Sequence, residues 1–140
     1  GVADNASLPV ESASADLAIA GWTFGHNVAW HPDTWPALIG AMLDAMRRVT
    51  RPGGMVIVLE PQGTGQESPN PPPGLLPYYD MLAAQGFGAT WIRTDYRFES
   101  LAEAERLTRF FFGDALADEV VRRQWVTLPE CTGLWWLEKA

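Results

Sequence analysis

Cysteine is almost absent: Cys131 is the only one in 140 residues. No internal disulfide can form, and a lone thiol fits a reducing cytoplasm. Histidine is nearly as scarce, with His26 and His31 alone. Their spacing to each other and to Asp33 matches no familiar ligand pattern, so no metal site is expected. Cations are the minority charge, ten Lys plus Arg against seventeen Asp plus Glu, for a formal charge of −7. Such a surface is not built to neutralise many phosphates, which excludes nucleic acid as the primary partner. No apolar run reaches the about eighteen residues of a membrane span, and the N-terminus lacks the basic-then-apolar order of a signal peptide. The chain is therefore expected to be soluble and cytoplasmic, with no membrane partner. No internal repeat of about twenty to fifty residues occurs. What is present is a composition 47% hydrophobic, enough for one globular domain that buries roughly two thirds of its unfolded surface without staples. The first residue is Gly1 rather than Met, which reads as a processing or fragment boundary.

Ala15 to Gly21 (ADLAIAG) is a short run with no polar residue after Asp16, the pattern of a strand buried on both faces. Trp35, Leu38, Ile39, Met42, Leu43, Met46 and Val49 then recur at three- and four-residue steps and line one face of a helix. Asp33 or Thr34 can cap it, and Pro36 suits its first turn. Arg47, Arg48 and Arg51 gather at the negative pole of its dipole, and Pro52, Gly53 and Gly54 stop it. Met55 to Leu59 (MVIVL) follows as a second buried strand. Strand, helix and strand with a short return form a parallel crossover unit.

Gln62 to Gly74, rich in proline and glycine, reads as a loop. Leu75, Leu76, Tyr79, Leu82 and Ala83 give a helical stripe ending at Gly86, and Ala89 to Phe98 alternates as a strand. Ser100 and Glu103 make a capping box for a helix carrying Leu101, Ala104, Leu107 and Phe111. Gly113 ends that helix, and Asp114 caps another with Asp118 and Glu119 early and Arg122 and Arg123 late in it. Cys131 to Leu137 is the last strand. Phe110, Phe111, Phe112, Trp135 and Trp136 lie in periodic elements and read as packing residues. The order of elements commits the fold to α/β.

Three segments together resemble the C-terminal part of the class I S-adenosylmethionine-dependent methyltransferases, in particular their small-molecule methyltransferase domains. The first is Ala3-Asp4-Asn5-Ala6-Ser7-Leu8-Pro9 followed by Ser14 to Ala20. It looks like the family's acidic residue and Leu-Pro ahead of a strand. The second is Met46 to Gly54 followed by Met55 to Leu59, similar to the family's helix ending in Pro-Gly-Gly before a strand. The third is the final pair of strands around an inserted helical pair, residues 100–124. The resemblance implies a partial Rossmann-like open sheet, mostly parallel with an antiparallel last strand and helices on both faces. It implies that residues 1–140 are the C-terminal portion of a single methyltransferase domain. The family's first strand, its Gly-x-Gly-x-Gly turn and the acidic residue for the ribose hydroxyls have no counterpart. Gly63-Thr64-Gly65 follows a strand but leads into prolines.

By that resemblance the cofactor is S-adenosylmethionine. The Asp4 carboxylate would accept from the adenine amine and the Asn5 N–H would meet a ring nitrogen; the competing reading of Asp4 is a solvated turn. Gly21, Trp22 and Thr23 end a strand at the edge where open α/β sheets bind ligands, near the methionine arm. Trp22 packing under the next helix is the competing reading. The segment Trp22 to Trp35 holds four aromatics and both histidines. Phe24 and Trp30 are candidate acceptor contacts, since aromatic faces favour a sulfonium. His26 is the candidate general base, needed only for a poor nucleophile such as a hydroxyl; its alternative is a packing or hydrogen-bonding role. Glu60 ends the second strand at the same edge and either enters the acceptor pocket or is a carboxylate in water. The helical pair is a candidate lid by fold analogy.

The implied reaction is methyl transfer to a small-molecule acceptor, driven chiefly by approximation in a water-poor pocket. The rival from another class is a non-catalytic fragment or degenerate relative that binds a protein partner. A nicotinamide-dependent dehydrogenase is weaker, because the Leu-Pro and Pro-Gly-Gly pairing does not belong to it. Without the earlier strands, one at 15–21 or 55–59 would expose an apolar edge, so a homo-oligomer, a strand exchange or a missing N-terminal segment is expected to cover it.

Overall fold

The computed structural model describes residues 1–140. The chain forms two compact units: Gly1–Glu60, Pro71–Thr90 and Gly133–Ala140 make the first, and Pro61–Asn70 with Trp91–Thr132 the second. No helix is long and apolar enough to cross a membrane.

In the first unit, β1 (Ala15–Gly21) leads through a short helix α1 (His26–Trp30) to α2 (Trp35–Val49) and β2 (Thr50–Thr64). The three-four spacing of apolar residues becomes the buried face of α2, where Ile39, Leu43, Met46 and Val49 are all buried. Thr34 occupies the N-cap position without a side-chain hydrogen bond, and Pro36 sits in the first turn as expected. A turn at Pro73–Leu75 opens α3 (Leu76–Ala84), followed by β3 (Gly88–Arg93); β6 (Glu130–Glu138) closes the chain. The sheet order is β1-β2-β6-β3.

β1 and β2 are parallel, with Leu17 opposite Met55 and Gly21 opposite Leu59. β6 runs the other way. The Gly53 N–H donates to the Lys139 carbonyl at 2.7 Å, and the Lys139 N–H donates to Gly54 at 2.9 Å, so the head of β2 lies beside the tail of β6. β3 starts against Trp136 and meets Glu130 at Thr94, so it opposes β6 and parallels β1 and β2. The expected mostly parallel α/β sheet with an antiparallel last strand is what the chain forms.

Strand alternation divides this sheet. Val56 and Val58, with Ala18 and Ala20 opposite them, join Ile39, Leu43, Met46, Tyr78, Tyr79, Leu82 and Trp135 in one core cluster. The three helices of this unit all feed that cluster. Met55, Ile57 and Leu59 point to the opposite face and are only half-buried. The expectation that β1 is buried on both faces is wrong: Leu17 is 47% and Ile19 56% exposed. β1 is an edge strand, and its outward residues Leu17 and Ile19 remain exposed.

The second unit is built from the tail of β2, a two-stranded antiparallel pair of β4 (Tyr96–Arg97) and β5 (Thr127–Leu128), and the helices α4 (Leu101–Phe112) and α5 (Asp114–Arg123). Its core is Ala104, Val120 and Leu128, with Phe98, Leu101, Leu116 and Trp125 against them. The Ser100 cap at the start of α4 forms, its hydroxyl accepting from the Glu103 N–H at 3.1 Å, while the Glu103 carboxylate reaches one residue further back than a capping box requires and accepts the Glu99 N–H at 2.8 Å. The expected Asp114 cap of α5 does not form, since Gly113 holds the N-cap position with no side-chain bond.

Three local expectations need correction. Ala89 to Phe98 is not one strand, because Asp95 turns back to take both guanidinium bonds of Arg93, at 2.8 and 2.9 Å, and the Glu130 N–H at 3.0 Å. Those bonds replace the ladder and part β3 from β4. The loop expected from Gln62 starts later, since β2 runs on to Thr64. Phe110, Phe111 and Phe112 are not core: they are exposed, Phe110 at 80%. Trp135 and Trp136 separate as neighbours on a strand must, the first buried and the second exposed.

Candidate functional site

The parallel pair β1–β2 ends at Gly21 and Leu59, and the ladder continues one step past Gly21, where the Trp22 N–H donates to the Leu59 carbonyl at 2.7 Å. Trp22 pays for that bond with a left-handed backbone, φ +49, a conformation costly for a bulky residue and typical of ligand-binding turns. The turn is tightened by the Thr23 hydroxyl, which donates to the Gly21 carbonyl at 2.8 Å.

Four of the expected site residues meet there. Asn5, Gly21, Thr23 and Phe24 line one cleft of about 140 Å³, together with Leu8, Ile19, Ala20 and Met46. Ligand pockets run to about 300–1,000 Å³, so this cleft by itself is too small to enclose a whole cofactor-sized molecule. Phe24 is buried and belongs to the core cluster as well.

The N-terminal residues reach the cleft because α2 holds them. Arg48 donates from its Nη2 to the Leu8 carbonyl at 2.6 Å and from its Nη1 to the Val10 carbonyl at 2.8 Å. Asp4 stands in a local turn: its Oδ1 accepts the Ala6 N–H at 2.7 Å, and its carbonyl accepts the Ser7 N–H at 3.0 Å. Asp4 is exposed and does not line the cleft. Arg48 was legible only as a helix-dipole partner, because contacts across about forty residues leave no local pattern.

His26 and Trp30 lie outside the cleft. The segment from Trp22 to Trp35 is not a continuous loop: residues 26–30 form α1, which puts positions 26 and 30 one turn apart. Their rings stack at 5.1 Å and 15° on the exposed side of the helix, while Asn27 is buried and donates from Nδ2 to the Phe24 carbonyl at 3.1 Å. The five-residue helix has no cap side chain and no acidic first turn to betray it. No group of three or more His, Cys, Asp or Glu is close enough to hold a metal ion.

Glu60 is not a carboxylate in water. It is 2% exposed. Its Oε1 accepts the Gly25 N–H at 2.9 Å and the Tyr78 hydroxyl at 3.3 Å, and the Phe24 backbone also bonds to it. Burial pushes its carboxyl up from about 4.5 to about 7, against the opposing pull of those hydrogen bonds. Tyr78 is pushed up as well, by its own burial first and by the Glu60 charge second. The sequence placed Glu60 at the right edge but carried no sign of the Tyr78 hydroxyl beneath it.

The chain matches no family model and no curated protein. Among solved structures it is similar in fold to the (4+2)-cyclase SpnF, with a TM-score of 0.51 at 15% identity over 100% of this chain and 56% of that one. Looser likenesses are to a protein of Bacillus halodurans provisionally described as a methyltransferase, at TM-score 0.46, 11% identity and 96% against 68% coverage. Another is to the YcgJ protein of Bacillus subtilis, at 0.46, 10% and 97% against 69%. The chain thus spans between about half and two thirds of these proteins' lengths, and what it has in common with SpnF is the α/β fold.

Proposed function

We propose that the chain is the C-terminal portion of a class I methyltransferase that moves a methyl group from S-adenosylmethionine to a small-molecule acceptor. The observation that carries the reading is the convergence of Asn5, Gly21, Thr23 and Phe24 on one cleft at the C-terminal end of β1, the edge at which parallel α/β sheets take ligands. The segments that resemble the family, Asp4 to Pro9 and Met46 to Gly54, flank that cleft and the α2–β2 return that builds it. Fold likeness alone does not choose the reaction.

The residues present fit part of the cofactor. Asn5 would offer its backbone N–H to a ring nitrogen of the adenine, and the Asp4 carboxylate, one oxygen of which already takes the Ala6 N–H, keeps the other for the exocyclic amine. Gly21 admits close approach of a ligand to the backbone, and Trp22 and Thr23 would flank the methionine arm. When bound, the cofactor supplies an electrophilic methyl group on a sulfonium. The chain's contribution is positional: it holds one end of the donor and presents Trp30 and His26 on a neighbouring helix, from which they would reach an acceptor only if it lies along that exposed face. His26 would take a proton from a hydroxyl acceptor; an amine or thiolate acceptor would not need it.

The second reading, a protein-binding module, draws on the exposed apolar residues of β1, Leu17 and Ile19. Under either reading a second copy or a further stretch of chain is proposed to cover that edge, and a cytoplasmic setting remains the proposal for the buried lone thiol. Calorimetric titration with S-adenosylhomocysteine separates the two. Saturable binding with a stoichiometry of about one is expected; heat no different from dilution at millimolar ligand overturns the enzyme reading for this chain.

A further inference from the structure

Glu60 is at the sheet edge beside the cleft, yet its carboxylate has no face open to a ligand. Everything it touches belongs to the protein: the Phe24 and Gly25 backbone on one side and the Tyr78 hydroxyl on the other. The fit is close, since a Cβ on Gly25 would come within 2.9 Å of Oε2 and 3.5 Å of the Leu75 Cδ2. The two residues it binds join the strained turn at Trp22 to α1, so they fix where both the cleft residue Phe24 and the His26–Trp30 face lie.

We propose that Glu60 is a positioning residue: by gripping the backbone of Phe24 and Gly25 against Tyr78, it holds the segment from Trp22 to Trp30 in its closed place on the sheet edge, and it contacts neither cofactor nor acceptor itself. The functional weight of this grip rests on the methyltransferase reading; the grip does not.

The geometry makes the hold pH-dependent, and the sign follows from burial. A carboxyl released into water by opening of the segment regains its ordinary affinity for protons, whereas the gripped one keeps its proton up to about pH 7. The closed arrangement therefore binds the proton more tightly, and raising the pH through 7 shifts the balance toward opening, by at most a few hundred-fold. No other charge intervenes. Tyr78 is the titratable group in contact, from α3, with the Tyr79 ring tilted against it at 5.6 Å. The residues that α2 sends into the shared cluster, Ile39, Leu43 and Met46, are apolar, and Leu75 covers Gly25. On α1 the nearest titratable group, His26, faces outward, and Arg51 of β2 is occupied by Asp16 at the far end of the strand.

The test follows backbone amides of the 140-residue chain by NMR and hydrogen exchange between pH 5 and 9, in the wild type, Glu60→Gln and Tyr78→Phe. In the wild type the Phe24 and Gly25 amide shifts should titrate together with a midpoint near 7, and exchange across residues 22–30 should quicken above it more than in α2. Glu60→Gln should abolish the titration and remove the excess quickening of residues 22–30 over α2 above pH 7. Tyr78→Phe, which removes a bond that favours the charged form, should move the midpoint upward and serves if the Gln variant does not fold. Amides that do not titrate in the wild type, or that titrate unchanged in either variant, overturn the proposal. Binding of S-adenosylhomocysteine is measured separately: its absence together with an intact titration removes the methyltransferase reading and leaves the positioning role standing.

Discussion

At the scale of residues, the site is held by side chains that bond mainly to backbone. Glu60 takes the Gly25 N–H, with the Tyr78 hydroxyl as its side-chain partner. Arg48 joins α2 to the carbonyls of Leu8 and Val10, and without it the segment carrying Asp4 and Asn5 has few long-range ties. Arg48→Ala should cost about 1 kcal/mol in urea unfolding, the range of a partly exposed charge-assisted bond. Its larger effect should be a several-fold loss of S-adenosylhomocysteine affinity. Gly25→Ala should destabilise by about 1–3 kcal/mol, because the added methyl collides with a carboxylate that Tyr78 and two backbone groups keep from moving. Glu60 also leaves a mark on global stability. Its folded value, about 7, lies above its unfolded one, near 4.5, so the folded state binds more protons between those values and its stability falls as the pH rises across that interval. The loss from this one group is about 3 kcal/mol by pH 8. Glu60→Gln should flatten that part of the stability profile, measured by urea denaturation at pH 5 and pH 8.

Elements were legible where a period was long enough to read. The stripe from Trp35 to Val49 became α2 with the expected start, but it stops at Val49, and Pro52 to Gly54, expected as its stop signal, already belong to β2. A truncation such as Leu43→Ala, at a residue with no exposed surface, should cost about 2–5 kcal/mol. The Ser100–Glu103 cap was equally plain because its whole mechanism lies within four residues; Ser100→Ala should cost about 1 kcal/mol and fray the first turn of α4. Helix α1 escaped because five residues show hardly more than one turn of any period. The break between β3 and β4 escaped because Asp95 answers to Arg93 and to Glu130, the latter 35 residues away. Phe110 to Phe112 illustrate a different limit. Periodicity says which residues of a helix share a face, not whether anything covers it.

At the scale of the whole molecule, the parallel β1–β2 pair follows from the strand–helix–strand order of elements and the reversed β6 agrees with what the family resemblance implied, while the sheet order β1-β2-β6-β3 had no counterpart in the sequence. A cleft does form at the C-terminal end of β1. Which of the nominated residues would converge was not legible, since Asn5 and Gly21 are brought together by Arg48 and by the Gly21–Leu59 register rather than by sequence. The exposed outward side of β1 gives a further expectation. Leu17 and Ile19 should drive concentration-dependent self-association visible in sedimentation velocity, and Leu17→Lys with Ile19→Thr should reduce it without changing the helical content. A wild-type chain that sediments as a monomer at high concentration would contradict this.

The most direct test of the central claim is where S-adenosylhomocysteine binds. On titration of the isotope-labelled chain, amide shifts are predicted to be largest at Asn5, Gly21 and Thr23, with Phe24 following and the residues of α4 and α5 unmoved. Saturating ligand that leaves those amides in place, or that perturbs only the second unit, would contradict it.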